Sequence, residues 1–394
     1  MLAVIHIAFL LFAVPAIVQS LYLLAVTLLS QRIAPPPRSA RTTKFDVIIP
    51  SHNEAGVIAR TVTSLLRVDW PKQNVRIVSV ADNCTDETGS EARAAGALVW
   101  ERHDTERRGK GYALQFAFET SRKDAWADAV VIIDADAEVS PNLLEAFAAR
   151  IERGEHAIQV HYGVLNPLAS WRTRLITIAK GAFHIVRSRA RERLQLSCGI
   201  RGNGWCVTHE LLRRVPYGAF SLTEDLEYGI ELGLHGVRVA YADEASADAD
   251  MVSGEQIARK QRQRWESGRF SMVREKTGTL LAAAVRRRSR ICLDLGLDLL
   301  VLPLSYIALH VTALLVIAAI AQVWMPSLQV WFWVACACAA SLLAYVLRGW
   351  QLSGIGARGL LDLARAPGFL LWKLLLVFRR RQSGDWVRTE RERP

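Results

Sequence analysis

Three long stretches without a charged side chain constrain this chain more than any other feature. Residues 2–30, 299–323 and 328–347 contain no Asp, Glu, Lys or Arg. A helix of about 20 apolar residues crosses the hydrocarbon core of a bilayer, which is about 30 Å thick. The sequence therefore predicts three transmembrane helices, the last two joined by a short turn at residues 324–327.

Arginine and lysine lie on one set of flanks of these stretches: Arg32, Arg38, Arg41, Lys44, Arg286, Arg287, Arg288, Arg290 and Arg348. The positive-inside rule then places residues 31–298 and the C-terminus in the cytoplasm, with the N-terminus outside. We expect a multi-pass protein of the cytoplasmic (inner) membrane. A cleaved signal peptide is the alternative for the first stretch, but its n-region carries no positive side chain and its apolar run is long.

The rest of the chain divides around these stretches. We expect a transmembrane helix at residues 1–30, a basic linker at 31–44, a cytoplasmic domain at 45–290, a two-helix transmembrane hairpin at 291–348 and an interfacial helix with a basic tail at 349–394. The six cysteines form no C-x-x-C pair, so reduced thiols are expected and a structural zinc site is not. The net charge of +11 lies largely beside the apolar stretches, and nucleic acid is not an expected partner.

Four apolar runs in the cytoplasmic part, at residues 45–50, 75–81, 97–101 and 129–134, alternate with helical patterns. Continuous apolar strands alternating with helices predict an α/β domain with a mostly parallel sheet covered on both faces. No G-x-G-x-x-G or Walker A sequence follows the first run, which argues against dinucleotide and P-loop folds. Ligands of such sheets bind beyond the carboxyl ends of the strands.

Acidic residues stand where these strands are expected to end. Asp82 follows the second run, while Asp134 ends the fourth run and Asp136 lies two residues further on. Carboxylates in this arrangement suit Mg²⁺ or Mn²⁺, which bind one or two carboxylates together with phosphate oxygens of a substrate. The same pair also fits an ordinary turn after a strand, because aspartate is common there.

Three further motifs have a structural and a chemical interpretation. Thr223 could cap a helix whose first turn holds Glu224 and Asp225, or a carboxylate there could act as a general base. Residues 261–265, QRQRW, place Gln261, Arg264 and Trp265 on one helix face, as a surface helix or as a phosphate and sugar contact. Lys110, between glycines at a helix start, is placed to attract an anion.

In their order along the chain these motifs resemble the D, DxD, TED and QxxRW signature of membrane-bound family 2 glycosyltransferases, the family of cellulose, chitin and hyaluronan synthases. The matching residues are Asp82, Asp134 with Asp136, Thr223 to Asp225, and Gln261 with Arg264 and Trp265. Residues 48–58, IIPSHNEAGVI, resemble the opening strand of that family. Gly202, Asn203 and Gly204 resemble the loop before its TED motif.

The resemblance implies a GT-A fold and a nucleotide-sugar donor, most often a UDP-sugar, with Mg²⁺ or Mn²⁺ as cofactor. It implies that Asp82 and Asp134 hold the nucleoside near Lys110, and that Asp136 binds the metal together with Asp134. Asp225, beside Glu224, would deprotonate the acceptor hydroxyl. Other implied contacts are Pro50, His52 and Glu54 to the nucleotide sugar, and Gln261, Arg264, Trp265, Gly202, Asn203 and Gly204 to the diphosphate and the acceptor.

The resemblance therefore implies inverting transfer of a hexosyl or N-acetylhexosaminyl group to a glycan or lipid-linked acceptor at the cytoplasmic membrane face, in exopolysaccharide or cell-envelope glycan synthesis. The chain departs from the polymer synthases, which carry a Cys-Gly-Ser type loop where Arg201 precedes Gly202 here. Three spans are also few for a secretion channel, so an oligomer, a polysaccharide-secretion partner protein or a lipid acceptor stays open. The alternatives are a lipid glycosyltransferase of the ceramide glucosyltransferase type and a non-catalytic nucleotide-binding membrane component.

Two segments have the pattern of helices that lie on a membrane surface. Residues 166–196 carry an apolar stripe bordered by seven basic residues: Arg172, Arg174, Lys180, Arg187, Arg189, Arg191 and Arg193. This predicts an amphipathic helix on anionic lipid, with a solvated surface helix as the alternative. Residues 366–381 are the second candidate, because their apolar part is too short to span and ends in arginines.

Overall fold

The computed structural model describes residues 2–251 and 255–365, except for the side chains of residues 255–260 and 262. Within these residues, eight strands form one mixed sheet with helices on both faces, and three long apolar helices stand beside it. The strands are β1 Phe45–Ser51, β2 Val75–Asp82, β3 Leu98–Arg102, β4 Ala129–Ile132, β5 Ala137–Val139, β6 Ala157–Val164, β7 Trp205–Thr208 and β8 Ala240–Ala249.

The helices follow in chain order. They are α1 Leu2–Leu28, α2 Ile58–Leu66, α3 Thr88–Ala94, α4 Lys110–Asp124, α5 Leu143–Ile151, α6 Trp171–Lys180, α7 Arg187–Arg193, α8 His209–Arg214, α9 Glu224–Leu234, α10 Glu255–Arg287, α11 Arg290–Leu300, α12 Leu304–Trp324, α13 Gln329–Ser353 and α14 Ala357–Leu363. Residues Gly181–Val186 form a π-helical turn that joins α6 to α7.

The sheet has the strand order β3-β2-β1-β4-β7-β6-β8-β5. The predicted parallel arrangement holds for β3, β2, β1 and β4, whose apolar runs were visible in the sequence. Strand β7 runs antiparallel to both β4 and β6, and β5 runs antiparallel to β8. The sheet is therefore mixed. Because Ile132 pairs with Trp205, the chain enters β7 at the same edge where it leaves β4.

The alternation of side chains along the strands builds a core on each face of the sheet. Phe45 and Val47 of β1 pack toward α2, α3 and α5, while Ile48 faces α4, α8 and α9 together with Val78 and Phe118. Both faces are buried under helices. The strands are consequently rigid supports for the loops at their carboxyl ends, which is where the site residues were expected.

Three helices of the described residues are long and apolar enough to cross a membrane: Leu2–Leu28, Leu304–Trp324 and Pro326–Ser353, the last including the turn before α13. They pack into a third core that includes Leu23, Leu314 and Tyr345. The second span was expected from residue 299 but begins at Leu304. Pro303 caps α12 and separates it from α11, since proline disfavours a helical conformation in the residue before it.

The predicted interfacial helix at residues 166–196 is helical, but its basic residues do not form a lipid-facing surface. Arg187 and Arg191 are 3% and 2% exposed. Arg187 donates to Asp298 of α11 (2.9 Å), and Arg191 donates to Asp298 and Asp294 (2.8 Å each). The expectation was wrong because a helical charge pattern does not reveal which carboxylates cover it. Here they come from a helix more than 100 residues further along the chain.

The other basic residues of this segment are also engaged. Arg174 pairs with Asp362 (2.5 Å), Arg189 with Asp243 (2.9 Å), and Lys180 is buried. The second predicted interfacial segment, at residues 366–381, lies outside the described residues. The linker at residues 31–44 lies along the sheet domain, since the backbone N–H of Ser39 donates to Glu145 (2.6 Å).

Helix α13 crosses the π-helical turn at very short range. A Cβ added to Gly349 would lie 2.7 Å from the Cβ of Ala182 and 2.9 Å from its backbone nitrogen. A Cβ on Gly181 would lie 2.5 Å from the carbonyl oxygen of Gly349. The Tyr345 hydroxyl donates to the carbonyl of Ala182 across the same contact (2.8 Å). The crossing therefore depends on two glycines facing one another.

We expect Gly349→Ala to push α13 away from this turn and to lower stability by about 1–3 kcal/mol, the usual cost of overpacking. Gly278→Ala in α10 is the matched control, because a Cβ there meets no atom within 4 Å. It should be neutral or gain up to about 1 kcal/mol from helix propensity. Thermal unfolding of both variants in detergent measures the difference, and equal melting temperatures would contradict the close crossing.

Candidate functional site

The loops after β1 and β2 are held by a ladder of polar contacts. Asn53 and Asn83 both adopt positive φ (57° and 50°), a conformation that asparagine tolerates, and turn the chain at the sheet edge. Asn53 accepts from the backbone N–H of Thr85 (2.7 Å), and Asn83 accepts from that of Asp104 (2.8 Å). His52 forms a hydrogen bond with the carbonyl of Asp82 (2.7 Å). Pro50, His52, Glu54 and Asp82 thus share one edge of the sheet.

Asp82 has a charged partner that no sequence pattern indicates. Its Oδ1 accepts from Nη1 of Arg102 at the end of β3 (2.6 Å) and from the Asn83 amide (3.2 Å). Both charged side chains are less than a tenth exposed. Burial raises the pKa of Asp82, and Arg102 opposes that shift. Parallel pairing of Asp82 with Arg102 in the sheet register brings the two together.

The D-x-D segment, residues 134–136, lies next to the glycine loop, residues 202–204, where β4 pairs with β7. The backbone N–H of Asp134 donates to Oδ1 of Asn203 (2.9 Å), and that of Gly204 donates to the carbonyl of Ile132 (3.0 Å). Gly204 has a φ of 70°, and a Cβ there would lie 2.6 Å from Val160. Only glycine fits this position, so the loop is held directly beside Asp134.

Lys110 links three of the predicted motifs. Its Nζ donates to Oδ1 of Asp134 (2.6 Å) and to the carbonyl of Gly202 (2.8 Å), and lies 3.8 Å from Oε1 of Glu224. Burial disfavours its charged form, but the carboxylates of Asp134 and Glu224 outweigh this and raise the pKa of Lys110. The lysine at the start of α4 is thus the centre of the site.

Glu224 and Asp225 begin α9 and face this lysine. A Cβ on Gly202 would lie 3.1 Å from Oδ2 of Asp225, so the loop and the carboxylate are in close contact. Burial raises the pKa of Glu224 to about 7, with Lys110 opposing and Asp225 adding to the shift. Burial also raises the pKa of Asp225. A carboxyl group with a raised pKa suits proton transfer.

Thr223 does not cap α9 with its side chain, contrary to the structural interpretation of this motif. Its Oγ1 is buried and has no hydrogen-bond partner in the described part of the chain. Helix α10 packs closely against the Thr223 side chain, because a Cβ on Gly268 would overlap that side chain. Gly268 lies three residues after Trp265, so the Q-x-x-R-W segment runs close to the start of α9.

On α10 the three residues of that motif differ in exposure. Trp265 is 38% exposed and Gln261 is half-buried. Nε of Arg264 is buried, and no acceptor for it lies among the described side chains. Within the described part of the chain, no hydrogen bond or ion pair joins these side chains to Asp134 or Asp225, so their contribution to the site stays a prediction.

Lys180 is a residue of the site that sequence reasoning missed. It was assigned to the polar face of a surface helix, whereas it is 8% exposed and its Nζ lies 3.2 Å from the centre of the Tyr162 ring. It donates to the carbonyl of Gly163 (3.2 Å). Burial lowers the pKa of Lys180 to about 7, opposed by Asp136, Asp134 and Asp248. A second buried amine therefore faces the D-x-D carboxylates.

The carboxylates of Asp134 and Asp136 suit a metal ion that binds together with a phosphate-bearing substrate. The described residues contain no group of three or more His, Cys, Asp or Glu side chains that could hold a metal ion by themselves. Mg²⁺ and Mn²⁺ need only one or two carboxylates when a diphosphate and water supply the remaining oxygens. Asp136 and Asp134 meet that requirement, although Asp134 already accepts from Lys110.

A family model described as "Glycosyltransferase like family 2" matches residues 42–291, more than half of the chain. The chain belongs to glycosyltransferase family 2. The matched range of this family 2 glycosyltransferase contains the whole sheet and all the predicted site residues.

Curated relatives match over the same part. The chain is 24% identical over 239 residues to a "Probable glycosyltransferase YdaM" of Bacillus subtilis, covering 58% of this chain and 56% of that protein. It is 26% identical over 234 residues to a "Beta-monoglucosyldiacylglycerol synthase" of Synechocystis, covering 57% and 47%. The match thus spans about half the length of these relatives.

A solved structure extends the likeness beyond the sheet domain. The mannosyltransferase PcManGT from Pyrobaculum calidifontis, in complex with GDP-Man and Mn²⁺, aligns with a TM-score of 0.50 and 20% identity. The alignment covers 89% of this family 2 glycosyltransferase and 99% of that chain. At this identity the likeness establishes a shared fold, which confirms the expected GT-A architecture.

The raised pKa of Glu224 predicts a dependence of stability on pH. A buried carboxyl whose folded-state pKa exceeds its unfolded value contributes stability at low pH, and that contribution is lost as pH rises toward and through about 7. Glu224→Gln has no such group. The melting temperature of Glu224→Gln, measured relative to that of the wild type, should therefore increase as the pH rises from 5 to 8. Glu119→Gln, at an exposed position of α4, is the control that should show no such change.

Proposed function

We propose that this protein transfers a sugar, with inversion, from a nucleotide sugar to a glycan or lipid-linked acceptor at the cytoplasmic face of the membrane. The proposal rests above all on Lys110, which contacts Asp134 of the D-x-D motif, Gly202 of the glycine loop and Glu224 of the T-E-D motif. Motifs separated by up to 114 residues in the chain converge on one ammonium group. That convergence suits a site for two substrates.

In this proposal the donor lies at the edge formed by β1, β2 and β4. Asp82 and Asp134 contact the nucleoside, and the loop with His52 and Glu54 borders it. Asp136, with Asp134, would hold Mg²⁺ or Mn²⁺ on the diphosphate, where the cation supplies compensation for the negative charge of the leaving group. The solved mannosyltransferase complex with GDP-Man and Mn²⁺ supports a divalent cation in this fold.

The chemical step assigns the proton to Asp225. The acceptor hydroxyl attacks the anomeric carbon, a C–O bond to the acceptor forms, and the C–O bond to the diphosphate breaks. The hydroxyl proton passes to the Asp225 carboxylate, while Arg264 and Gln261 face the departing nucleoside diphosphate and Trp265 contacts the acceptor. One aligned carboxylate and fixed positive charges are the contributions that such a transfer needs from a protein.

The three apolar helices support a membrane location, with the sheet domain on the side of the arginine-rich flanks. A lipid acceptor would reach the site directly from the bilayer, and similarity to a beta-monoglucosyldiacylglycerol synthase supports the lipid glycosyltransferase alternative. Similarity to probable glucomannan 4-beta-mannosyltransferases of Arabidopsis thaliana supports a glycan acceptor to a comparable degree. A role in cell-envelope glycan synthesis, with or without a secretion partner protein, is compatible with both.

Asp225→Asn should lower turnover by about 10²- to 10⁴-fold, the usual contribution of a general base, while donor binding stays intact. The measurement is UDP or GDP release from purified protein across a panel of UDP- and GDP-sugars, with acceptor lipid and with Mn²⁺ or Mg²⁺. Glu231→Gln, on the same helix but exposed, is the matched control. Full turnover of Asp225→Asn would refute the assigned base, and no release with any donor would refute the proposed function.

The proposed metal site predicts that Mn²⁺ and nucleotide bind together. Wild-type protein should hold Mn²⁺ weakly alone and at least about tenfold more tightly with the matching nucleoside diphosphate, a gain of about 1.4 kcal/mol. Asp136→Asn should lose that gain. Glu138→Gln, two residues away and partly exposed, should keep it. Electron paramagnetic resonance of free Mn²⁺ measures both, and unchanged binding by Asp136→Asn would contradict the site.

A further inference from the structure

Arg201 carries two buried hydrogen-bond donors that the described part of the chain leaves without an acceptor. These are Nε and Nη2, while the backbone N–H of Arg201 donates to Gln159 (2.8 Å) and the guanidinium lies 4.3 Å from the Phe183 ring centre. Nε–H and Nη2–H point to the same side of a guanidinium. They form the fork that binds two oxygens of one anion. An external group that accepts both would remove the penalty of leaving them buried and unpaired.

Arg201 lies at the acceptor end of the site. The next residue, Gly202, contacts Asp225, since a Cβ there would lie 3.1 Å from Oδ2 of that carboxylate. The charge of Arg201 also acts on Asp225, where it opposes the rise in pKa that burial causes. An anion on Arg201 would consequently be close to the carboxylate assigned as the base.

The surroundings of Arg201 have an excess of positive charge in the described structure. Arg187 and Arg191 share the carboxylates of Asp294 and Asp298. Arg269 donates instead to the backbone carbonyls of Asp298 and Val301. The positive charges of Arg187 and Arg191 and the negative charge of Asp298 act on Arg201, and the charge of Arg201 acts on Arg269. With Asp225 included, the charged groups are four arginines, Arg187, Arg191, Arg201 and Arg269, against three aspartates, Asp225, Asp294 and Asp298.

This cluster also lies where the sheet domain meets the apolar helices. Val301, whose carbonyl Arg269 binds, stands three residues before α12 begins. Arg187 donates to Tyr345 of α13 (2.9 Å), and Arg191 donates to Tyr22 of α1 (2.7 Å). All three candidate spans therefore border the cluster. The cluster around Arg201 therefore lies at the junction between the sheet domain and the apolar helices.

We propose that Arg201 binds a phosphate group of a membrane-lipid acceptor, close to the hydroxyl that receives the sugar. The inference rests on the proposed function and specifies its acceptor as an anionic phospholipid that bears a free hydroxyl. A neutral acceptor such as diacylglycerol would leave the Nε and Nη2 donors unpaired. Binding would add no chemical step, because the phosphate is held in place and the hydroxyl loses its proton as before.

The test compares two short-chain acceptors with the donor found in the release panel: dihexanoyl phosphatidylglycerol, which has hydroxyls and a phosphodiester, and dihexanoylglycerol, which lacks the phosphate. Wild-type kcat/KM should favour the phospholipid by about ten- to a hundredfold, the range of a charge-assisted hydrogen-bonded pair. Arg201→Gln should lose the preference through KM, and Arg201→Lys should keep part of it. Arg214→Gln, on the exposed end of α8, is the control that should behave as wild type.

The remaining outcomes are separable. Equal use of both lipids by the wild type, or an equal loss for both lipids in Arg201→Gln, would overturn the inference and leave the proposed function standing. Absence of transfer with every acceptor and of nucleotide release with every donor would instead refute the proposed function. Inorganic phosphate should inhibit only weakly. An inhibition constant for phosphate as low as the KM for the phospholipid would identify a free-phosphate site and overturn the inference. Donor affinity and melting temperature are measured for Arg201→Gln as well, and wild-type values of both exclude a folding defect as the cause of a lost preference.

Discussion

Asp298 is the carboxylate on which the junction of the two parts of this protein depends. It is 5% exposed and accepts from Arg187 and Arg191 of α7 while standing on α11, directly before the apolar helix α12. Removing one partner of a buried ion pair leaves an uncompensated charge and costs about 3–5 kcal/mol. The α7 arginines in turn reach Tyr22 and Tyr345, so α1, α7, α11 and α13 are tied through one aspartate. The loop that follows α7 leads to Arg201 and the site.

The convergence on Lys110 is the second constraint. Asp134, Glu224 and Asp225 would repel one another if they were buried without a cation, and their repulsion is part of what raises the pKa of Glu224. Lys110 compensates this charge while it also holds the carbonyl of Gly202. The site is thus organised around fixed charges and a close-packed glycine loop. Such preorganisation lets a site stabilise developing charge without first rearranging.

The sequence was sufficient to predict the elements with strong local signals. Apolar runs predicted β1 to β4, and uncharged stretches predicted the three apolar helices. The order of the acidic motifs predicted the family. Strand β7 was not predicted because its four residues, WCVT, are too few for a periodic pattern. Arg102, Lys180 and the carboxylates opposite Arg187 were missed because these contacts join distant parts of the chain, and no local spacing encodes them.

Strand β7 runs antiparallel to β4, and the seam between these two strands divides the chain into two parts. Residues from β1 to the D-x-D segment build, from neighbouring parallel strands, the sheet edge to which the proposed function assigns the donor. The glycine loop, which directly precedes β7, and the residues after β7 contribute Gly202, α9, α10 and two of the apolar helices, to which the proposed function assigns the acceptor. The two parts are joined by the antiparallel β4–β7 ladder and by the hydrogen bonds of Asp134 and Ile132 with the glycine loop. Under the proposed function, substitutions that change the acceptor and substitutions that change the donor would therefore fall in two consecutive stretches of the sequence.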